Sequence, residues 1–320
     1  MAIPYPELAI TFNRLLDEHR AMTILSHINP DPDAIGTALG IYHWLKEQGK
    51  RVEIANATAD IPRNLDFLPG FSKIKNKTDF DDSLIIACDS GSIDRLGFDL
   101  SGRVIVNLDH HPTNTQYGTL NIVDPEAVAS SEVAWHLLSP LWEISRESAT
   151  AFYAALISDT RNFTTGNMHQ GVFDLAGELV SRGVNIPEVT RQMLHRRSLA
   201  SLRILGVAID SLELVRDARV AFMTIRRDDR LRWGAQGSDL DGIVDYARSL
   251  VTVQVAVMLV ERKNNIKVSL RSKGVDVVRI ARHFGGGGHR AAAGFEVQGM
   301  ELEALREAIL NVMEEEDVLS

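Results

Sequence analysis

The turn from His27 to Asp33, which reads His-Ile-Asn-Pro-Asp-Pro-Asp, most strongly constrains how this chain can fold. It follows an apolar run at residues 22–25 that predicts a buried strand, and it precedes a helix-like segment. Open α/β sheets bind ligands at the carboxyl ends of their strands, where this turn lies. Its two prolines restrict the backbone, which reduces the entropy lost when His27, Asp31 and Asp33 are held together. Taken alone, the turn also fits a simple helix cap by Asp33.

Strand-like and helix-like segments alternate along the first part of the chain, which predicts a mainly parallel sheet with helices on its faces. The predicted strands are residues 22–25, 52–55, 84–88, 104–108 and 120–123. The predicted helices are residues 34–48, 131–142, 147–157 and 170–182. Ser131, followed by Glu132, is expected to begin its helix as a cap.

The pattern changes near Pro187, where two helical stretches, at residues 187–196 and 199–214, follow each other without a strand. Beyond them the expected elements are strand 220–225, helix 242–249, a hairpin of 251–261 with 266–271, helix 275–283 and a final helix from 301. We therefore expect an α/β protein with an N-terminal domain at 1–187, a helical connector at 188–215 and a smaller α/β domain at 216–320.

The composition is that of an ordinary globular protein, with 45% hydrophobic and 24% charged residues over 320 positions. No segment predicts a signal peptide, and the most apolar run, 251–260, is too short to span a bilayer. The single cysteine, Cys88, lies in an apolar strand and forms no disulfide within the chain. We therefore expect a cytoplasmic protein with no membrane partner.

Charge is unevenly distributed along the chain. The net charge of −9 argues against non-specific binding of long duplex nucleic acid, because such binding depends on a basic surface. Residues 186–290 carry 19 Lys or Arg against 11 Asp or Glu, so this window has a charge of +8 and the remainder has −17. The asymmetry suits a metal site facing an anion-binding surface, although two separately solvated domains would also show it.

Acidic and imidazole side chains recur where predicted strands and helices end. Asp89 follows the strand at 84–88, the run Asp109-His110-His111 follows the strand at 104–108, and Asp159 ends a helix. A loop aspartate on its own is usually a turn or cap residue. In a parallel sheet, however, the strand ends converge, so these side chains and those of the first turn are expected to share one crevice.

The expected donor set combines carboxylates with imidazoles and contains no thiolate. Such ligands suit hard or borderline divalent ions, which makes Mn²⁺ the first choice and Mg²⁺, Co²⁺ or Fe²⁺ the alternatives. The set exceeds what one ion takes from a protein, so two ions are implied. A pair of ions roughly 3.5–4 Å apart can activate a hydroxide and stabilise both the attacking and the leaving oxygen at phosphorus.

The acidic motifs, in this order and spacing, resemble those of the DHH phosphoesterase superfamily. The matching stretches are His27 to Asp33, Cys88-Asp89-Ser90, Asp109-His110-His111-Pro112 and Ser158-Asp159-Thr160. The run Gly285 to His289, followed by Ala-Ala-Ala-Gly-Phe at 291–295, is similar to the signature of the substrate-binding domain in one branch of that superfamily. Within that branch, a stand-alone chain of this length resembles the nanoRNase/pAp-phosphatase (NrnA-like) type.

The resemblance implies a role for each matching residue. One metal would be held by His27, Asp31 and Asp89, and the other by Asp33, Asp89, His110 and Asp159, with Asp89 bridging the two. Asp109 would not bind a metal ion itself but would orient one of the ligand residues. His111 would lie near the scissile phosphate, either as a contact or as an acid for the leaving oxygen.

The second domain offers residues for substrate binding. Its glycine run lets backbone N–H groups approach an anion closely, and alternation along 266–271 puts Lys267, Ser269 and Arg271 on one face. Taken alone, the glycines also fit a flexible turn, and each arginine fits a solvated surface position. With the resemblance, the expected substrate-binding residues are Arg262, Ser269, Arg271, Gly286, Gly287, Gly288 and His289.

We therefore expect a metal-dependent phosphohydrolase that releases 5′-mononucleotides from short single-stranded RNA and removes the 3′-phosphate of 3′-phosphoadenosine 5′-phosphate (pAp). The nearest alternative is a cyclic di-AMP or linear pApA phosphodiesterase, and a second is a non-catalytic nucleotide-binding sensor. The resemblance also allows a homodimer. The order of substrate preference, the direction of attack and the physiological metal stay open at this stage.

Overall fold

The chain divides into two compact units, Met1–Arg196 and Arg197–Ser320. The computed structural model describes residues 3–58, 61 and 63–318. Each unit contains a six-stranded sheet with helices, so the expected α/β class is confirmed. The expected finer division, with a connector at 188–215, stays a prediction. Within the described ranges, none of the helices has both the length and the apolar character needed to cross a bilayer.

The first unit is built on a parallel sheet. Its strands are β1 (Ala21–Ser26), β2 (Arg51–Ala55), β3 (Ile74–Lys75), β4 (Leu84–Cys88), β5 (Ile105–Asp109) and β6 (Leu120–Val123). Their spatial order is β3-β2-β1-β4-β5-β6, and every neighbouring pair is parallel. The order reverses between β1 and β4, which opens a crevice at the carboxyl ends of these strands. The residues directly after the two strands are His27 and Asp89.

Helices of the first unit enclose the main apolar core against one face of this sheet. They are α1 (Tyr5–Glu18), α2 (Pro32–Glu47), α3 (Ser130–Leu138), α4 (Arg146–Asp159), α5 (Gln170–Ser181) and α6 (Ile186–Leu194). Short 3-10 turns occupy Arg63–Leu65, Phe71–Lys73 and Ile93–Leu96. The core includes the fully buried Phe12, Trp44 and Phe152. A smaller apolar cluster, which includes Leu96 and Leu100, covers the other face.

The second unit carries a mixed sheet that is covered on both faces. Its strands are β7 (Glu213–Val215), β8 (Val220–Ile225), β9 (Val255–Glu261), β10 (Ile266–Ser272), β11 (Gly287–His289) and β12 (Ala292–Val297), in the order β11-β12-β10-β9-β8-β7. Among these described strands, β8 and β9 pair in parallel and the other neighbouring pairs are antiparallel. Its helices are α7 (Leu199–Asp210), α8 (Arg227–Trp233), α9 (Ile243–Ser249), α10 (Val278–His283) and α11 (Leu302–Glu315), with a 3-10 turn at Gly237–Leu240. Along β9, alternate residues enter two different cores.

Several expected elements have different ends in the structure. The strand expected at 104–108 is β5, which extends to Asp109, so this carboxylate lies in the strand and does not follow it. The helix expected at 131–142 begins at Ser130 and ends at Leu138. The helix expected at 199–214 ends at Asp210. The expectation extended too far because Leu212 and Leu214, which lie beyond the helix, continue its apolar pattern as far as β7. The glycine run is partly the edge strand β11 and not only a turn.

The sequence patterns above do not predict α1, α8 or β7. Helix α1 buries Ala9, Phe12 and Leu16 at helical spacing, so its signal is present in the sequence. Helix α8 buries none of its residues, and β7 has only three residues, so neither offers a periodic pattern to detect.

We predict that Gly36→Ala destabilises the first unit. Helices α2 and α4 approach so closely that a Cβ on Gly36 would lie 2.6 Å from the Ala151 carbonyl oxygen and 2.8 Å from the Ala155 Cβ. The helices would have to separate, and overpacking of this kind costs about 1–3 kcal/mol. Gly177→Ala on α5 is the matched control, since a Cβ there meets nothing within 4 Å. It should be neutral or stabilising by up to about 1 kcal/mol. Equal unfolding midpoints in urea for the two variants would contradict the prediction.

Candidate metal centre

His27 directly follows β1, and its ring is held in one orientation. Its Nδ1–H donates to the Ile28 carbonyl oxygen at 2.8 Å, which leaves Nε2 facing Asp89 Oδ2 at 3.5 Å and Asp31 Oδ2 at 3.9 Å. The Asn56 amide donates to the carbonyl oxygen of His27 at 2.9 Å and so fixes the end of the strand. A neutral His27 therefore presents the Nε2 lone pair toward two carboxylates, an arrangement that calls for a cation between them.

Asp31 and Asp33 have separate tasks at the start of α2. Asp31 is the helix cap, since its Oδ1 accepts from the Ala34 N–H at 3.0 Å, so the alternative of a cap by Asp33 is wrong. Asp33 is fully buried and accepts from the Thr37 hydroxyl at 3.1 Å. Its carboxylate also accepts the Ser130 N–H at 2.7 Å, at the N-terminus of α3. The positive end of that helix thus stabilises the Asp33 carboxylate.

Asp89 lies between the other donors at the switch of the strand order. Its backbone has φ 56°, in the left-handed region that a non-glycine residue seldom adopts. The Ser130 hydroxyl donates to its Oδ1 at 2.9 Å. Strain of this kind persists where the surrounding structure requires it, and here it turns the carboxylate into the crevice.

His110 faces the remaining carboxylates. Its Nδ1 lies 3.3 Å from the Ala127 carbonyl oxygen, and its Nε2 lies 3.3 Å from Asp159 Oδ2, 3.7 Å from Asp89 Oδ1 and 3.9 Å from Asp33 Oδ2. The geometry repeats that of His27, with one ring nitrogen toward a backbone carbonyl and the other toward acidic groups. Metal-binding histidines are commonly held in this way.

Asp109 contacts His111 and not His110. Its Oδ1 accepts from the His111 Nδ1–H at 2.7 Å, and its Oδ2 accepts from the Asn114 amide at 2.5 Å. Burial would raise the pKa of Asp109, but these hydrogen bonds hold it below its usual value. Asp109 therefore stays ionised and orients the His111 ring.

The titration behaviour of the centre reflects its crowded charges. Burial and the charges of Asp89 and Asp159 raise the pKa of Asp33 well above its usual value. Burial lowers the pKa of His27, but the hydrogen bonds and charges of Asp31 and Asp89 outweigh it and raise the value to about 10. His110 is likewise raised to about 10, chiefly by Asp159 against the effect of burial. Without a metal, protons supply the positive charge.

The donor atoms fall into groups compact enough for an ion. Within the described residues, these groups are His27 with Asp31 and Asp89, Asp33 with His110 and Asp159, and Asp89 with His110 and His111. The first two match the sets expected from the sequence, with Asp89 within reach of both. Carboxylate and imidazole donors with opposed lone pairs fit divalent metal ions, so these clusters can bind metal.

Five of the expected substrate-binding residues, Ser269, Arg271, Gly287, Gly288 and His289, lie on β10 and β11, which are the two neighbours of β12 in the sheet. Arg271, Ala292 and His289 are aligned across β10, β12 and β11, as are Ser269, Gly294 and Gly287. Paired residues share a sheet face, so Arg271 and His289 are on the same side with only alanine between them. Gly288 lies between Gly287 and His289 on β11, and Gly286 directly precedes that strand, whereas the Arg262 guanidinium pairs with Glu296 at 2.8 Å.

The sequence patterns do not identify several supporting residues of the centre, among them Asn56, Asn114 and Ser130. Each acts through hydrogen bonds to a residue distant in sequence or across a loop. Only Ser130 carries a recognisable signal, because a serine beside the start of a predicted helix is a candidate for contacts at its N-terminus.

Comparison with known proteins assigns the family. Residues 21–157 match the model of the DHH family N-terminal domain, and residues 217–315 match that of the DHHA1 domain. A relative from Thermus thermophilus, named bifunctional oligoribonuclease and PAP phosphatase NrnA, is 34% identical over 92% of this chain and 89% of its own length. The protein of the same name from Bacillus subtilis is 27% identical over 89% and 91%.

The chain is also similar to a solved structure. An exopolyphosphatase-related protein from Bacteroides fragilis superimposes with a TM-score of 0.90 and 26% identity, over 97% of this chain and 96% of that one. The chain belongs to the DHH family, which confirms the resemblance found in its motifs. Within the family it is similar to the NrnA type.

We predict that Mn²⁺ affinity rises with pH. The metal-free His27 and His110 have pKa values of about 10, so they are protonated at neutral pH and must lose those protons to bind metal. Affinity should increase by up to about tenfold per pH unit for each proton displaced, and the gain should level off near pH 10. Calorimetry in buffers of different ionisation enthalpy measures the protons released. Constant affinity from pH 6 to 9 without proton release would contradict this prediction.

Proposed function

We propose that this chain is a metal-dependent phosphohydrolase that degrades short single-stranded oligoribonucleotides to 5′-mononucleotides and converts pAp to AMP. The observation that carries the proposal is the position of Asp89, whose two carboxylate oxygens face the two separate His-and-Asp clusters. The names of the two relatives, which describe an oligoribonuclease and PAP phosphatase, support the same substrate class.

We further propose two divalent ions, with Mn²⁺ as the first candidate and Mg²⁺, Co²⁺ or Fe²⁺ as alternatives. His27, Asp31 and Asp89 would hold one ion, and Asp33, His110 and Asp159 would hold the other together with Asp89. When bound, the ions would activate water and neutralise the charge that develops on the phosphate oxygens. The absence of thiolate from the donor set supports a hard or borderline ion.

The chain's own residues would orient the donors and handle the proton. Ser130 fixes Asp33 through its N–H and Asp89 through its hydroxyl, so one residue sets the spacing of two donors. The Nδ1–H of His111 is held by Asp109, which makes Nε2 the ring atom that would contact the scissile phosphate or protonate the leaving oxygen. Burial lowers the pKa of His111, but the negative charge of Asp109 and its hydrogen bond outweigh burial and raise this pKa, which favours a protonated ring.

Substrate binding would fall to the second unit. The row of Arg271 and His289, with Ser269 and the backbone of Gly286, Gly287 and Gly288, is proposed to bind the nucleotide. Arg262 is kept in this proposal, although its ion pair with Glu296 must be exchanged for the substrate. The net charge of −9 supports short substrates over long duplex nucleic acid. A homodimer and a cytoplasmic location complete the proposal.

We predict that Mn²⁺-loaded protein releases AMP from pApA and pAp and mononucleotides from a five-nucleotide RNA. Product chromatography on an equimolar panel that also contains cyclic di-AMP and pyrophosphate measures this. Asp89→Asn should lower turnover more than about 100-fold, because the neutral amide leaves an oxygen for only one cluster and removes the negative charge that both clusters face, whereas the exposed His195→Gln serves as control. Preferred opening of cyclic di-AMP would favour the signalling phosphodiesterase. Nucleotide binding without turnover of any compound would favour the sensor.

We predict that Arg271→Ala weakens substrate binding without a comparable loss of catalytic rate. A hydrogen bond to a charged phosphate contributes about 1.5–3 kcal/mol, so KM for pApA should rise about tenfold or more while kcat changes little. Arg279→Ala is the matched control, because this arginine lies on α10 and pairs with Glu316 at 2.6 Å. An unchanged KM for Arg271→Ala would remove this residue from the proposed binding site.

A further inference from the structure

Three asparagines on β5, on β6 and in the connection between them are linked by hydrogen bonds to the residues proposed to act on the phosphate. Asn107 lies on β5, Asn121 lies on β6, and the two are register partners in the parallel sheet. Asn114 lies in the connection between these strands. The three recur at intervals of seven residues, and no motif considered above includes them.

Hydrogen bonds between the amides fix the orientation of each side chain. Asn107 is fully buried, and its Nδ2 donates to Asn114 Oδ1 at 2.9 Å and to Asn121 Oδ1 at 3.0 Å. Asn121 is anchored by Gly118, whose N–H donates to its Oδ1 at 2.9 Å and whose carbonyl accepts from its Nδ2 at 2.9 Å. The Asn114 oxygen is therefore turned to Asn107, and its nitrogen donates to Asp109 and, at 3.3 Å, to Asn107 Oδ1.

The series ends on a carboxylate held at both oxygens. Asn114 Nδ2 lies 2.5 Å from Asp109 Oδ2 and also 3.2 Å from the Ser90 carbonyl oxygen. Asp109 Oδ1 accepts from the His111 Nδ1–H at 2.7 Å. Asp109 cannot rotate without breaking one of these bonds, so the amides determine where the His111 ring is held.

The backbone of the connection is adapted to this arrangement. A Cβ on Gly118 would lie 2.6 Å from the Leu120 carbonyl oxygen and 2.9 Å from the Asn107 Cβ, so only glycine permits the close approach. The Gln116 N–H donates to Asn114 Oδ1 at 2.7 Å, which adds a second donor to the same oxygen. Backbone and side-chain donors together prevent the Asn114 amide from turning over.

We infer that Asn107, Asn114 and Asn121 form an amide relay that positions His111, through Asp109, for the phosphohydrolase reaction, an inference that rests on the proposed function. They are positioning residues, since they act through Asp109. An amide suits this task because it donates a hydrogen bond without neutralising the carboxylate, whose charge remains available to His111. A lysine or arginine in place of Asn114 would compete with His111 for that charge.

The experiment compares Asn114→Asp and Asn114→Leu with Asn185→Ala in the full chain. Asn114→Asp keeps an acceptor for Asn107 but loses the donor to Asp109, whereas Asn114→Leu loses both. Asn185→Ala removes an asparagine that caps α6 by accepting the Glu188 N–H at 3.1 Å, so it controls for general loss of stability. With pApA as substrate, both Asn114 variants should lower kcat about 10- to 100-fold with KM within about twofold.

A second readout does not depend on turnover. Protein labelled with ¹⁵N-histidine and loaded with diamagnetic Mg²⁺ should show a downfield His111 Nδ1–H resonance, assigned by its loss in His111→Gln. The resonance should shift or disappear in Asn114→Asp and persist in Asn185→Ala. An unchanged resonance in Asn114→Asp, or a kcat loss no larger than that of Asn185→Ala, would overturn the relay. If the wild-type chain hydrolyses nothing, the proposed function fails, and the resonance still decides whether the relay positions His111.

Discussion

Electrostatic repulsion among the carboxylates at the strand ends is the constraint on which the rest of the first unit depends. Asp33 and Asp89 are buried, and Asp31 and Asp159 lie close enough to share imidazole partners with them. Charges removed from water in this way are strongly unfavourable unless they are paired. The same crowding of negative charge raises the pKa values of His27 and His110, because the neighbouring carboxylates attract the protonated rings. Folding of this unit is therefore linked to protons or metal ions, which compete for the same donors.

The scaffold brings these charges together through two close approaches. The reversal of strand order places His27 and Asp89 on adjacent strand ends. Helices α2 and α4 approach closely at Gly36, which faces the Ala151 carbonyl oxygen, and at Gly40, against which the Phe152 ring packs. Asp33 lies at the start of α2 and Asp159 at the end of α4, so the glycine contact sets how near these two donors come. Small residues in the helix contact are thus part of the construction of the centre and not only of the core.

The donors could be predicted from the sequence because each follows a strand or ends a helix, and a parallel sheet brings strand ends together. His27, Asp89 and His110 are weak signals one at a time, and only their joint pattern and the family resemblance make them candidates. The supporting groups could not be found in this way. Which carboxylate caps α2 depends on the final rotamers of Asp31 and Asp33. The contact of Asp109 with His111, rather than with a proposed metal ligand, depends on β5 extending one residue further than its apolar pattern indicates.

The side chains that would bind metal and the groups that hold those side chains in place also differ in charge. The carboxylates of the centre repel one another and are attracted to whatever cation is available, so on their own they would form only a loose cluster. The groups that fix them are neutral: the Ser130 hydroxyl and N–H, the Thr37 hydroxyl and the asparagine amides. Neutral donors add geometry without altering the charge balance, whereas an arginine or lysine at these positions would occupy the carboxylates that a metal must bind. Apart from Ser130, which lies beside the start of a predicted helix, these uncharged groups belong to no motif that predicts a role, so they are recognised only when the partner of each hydrogen bond is known.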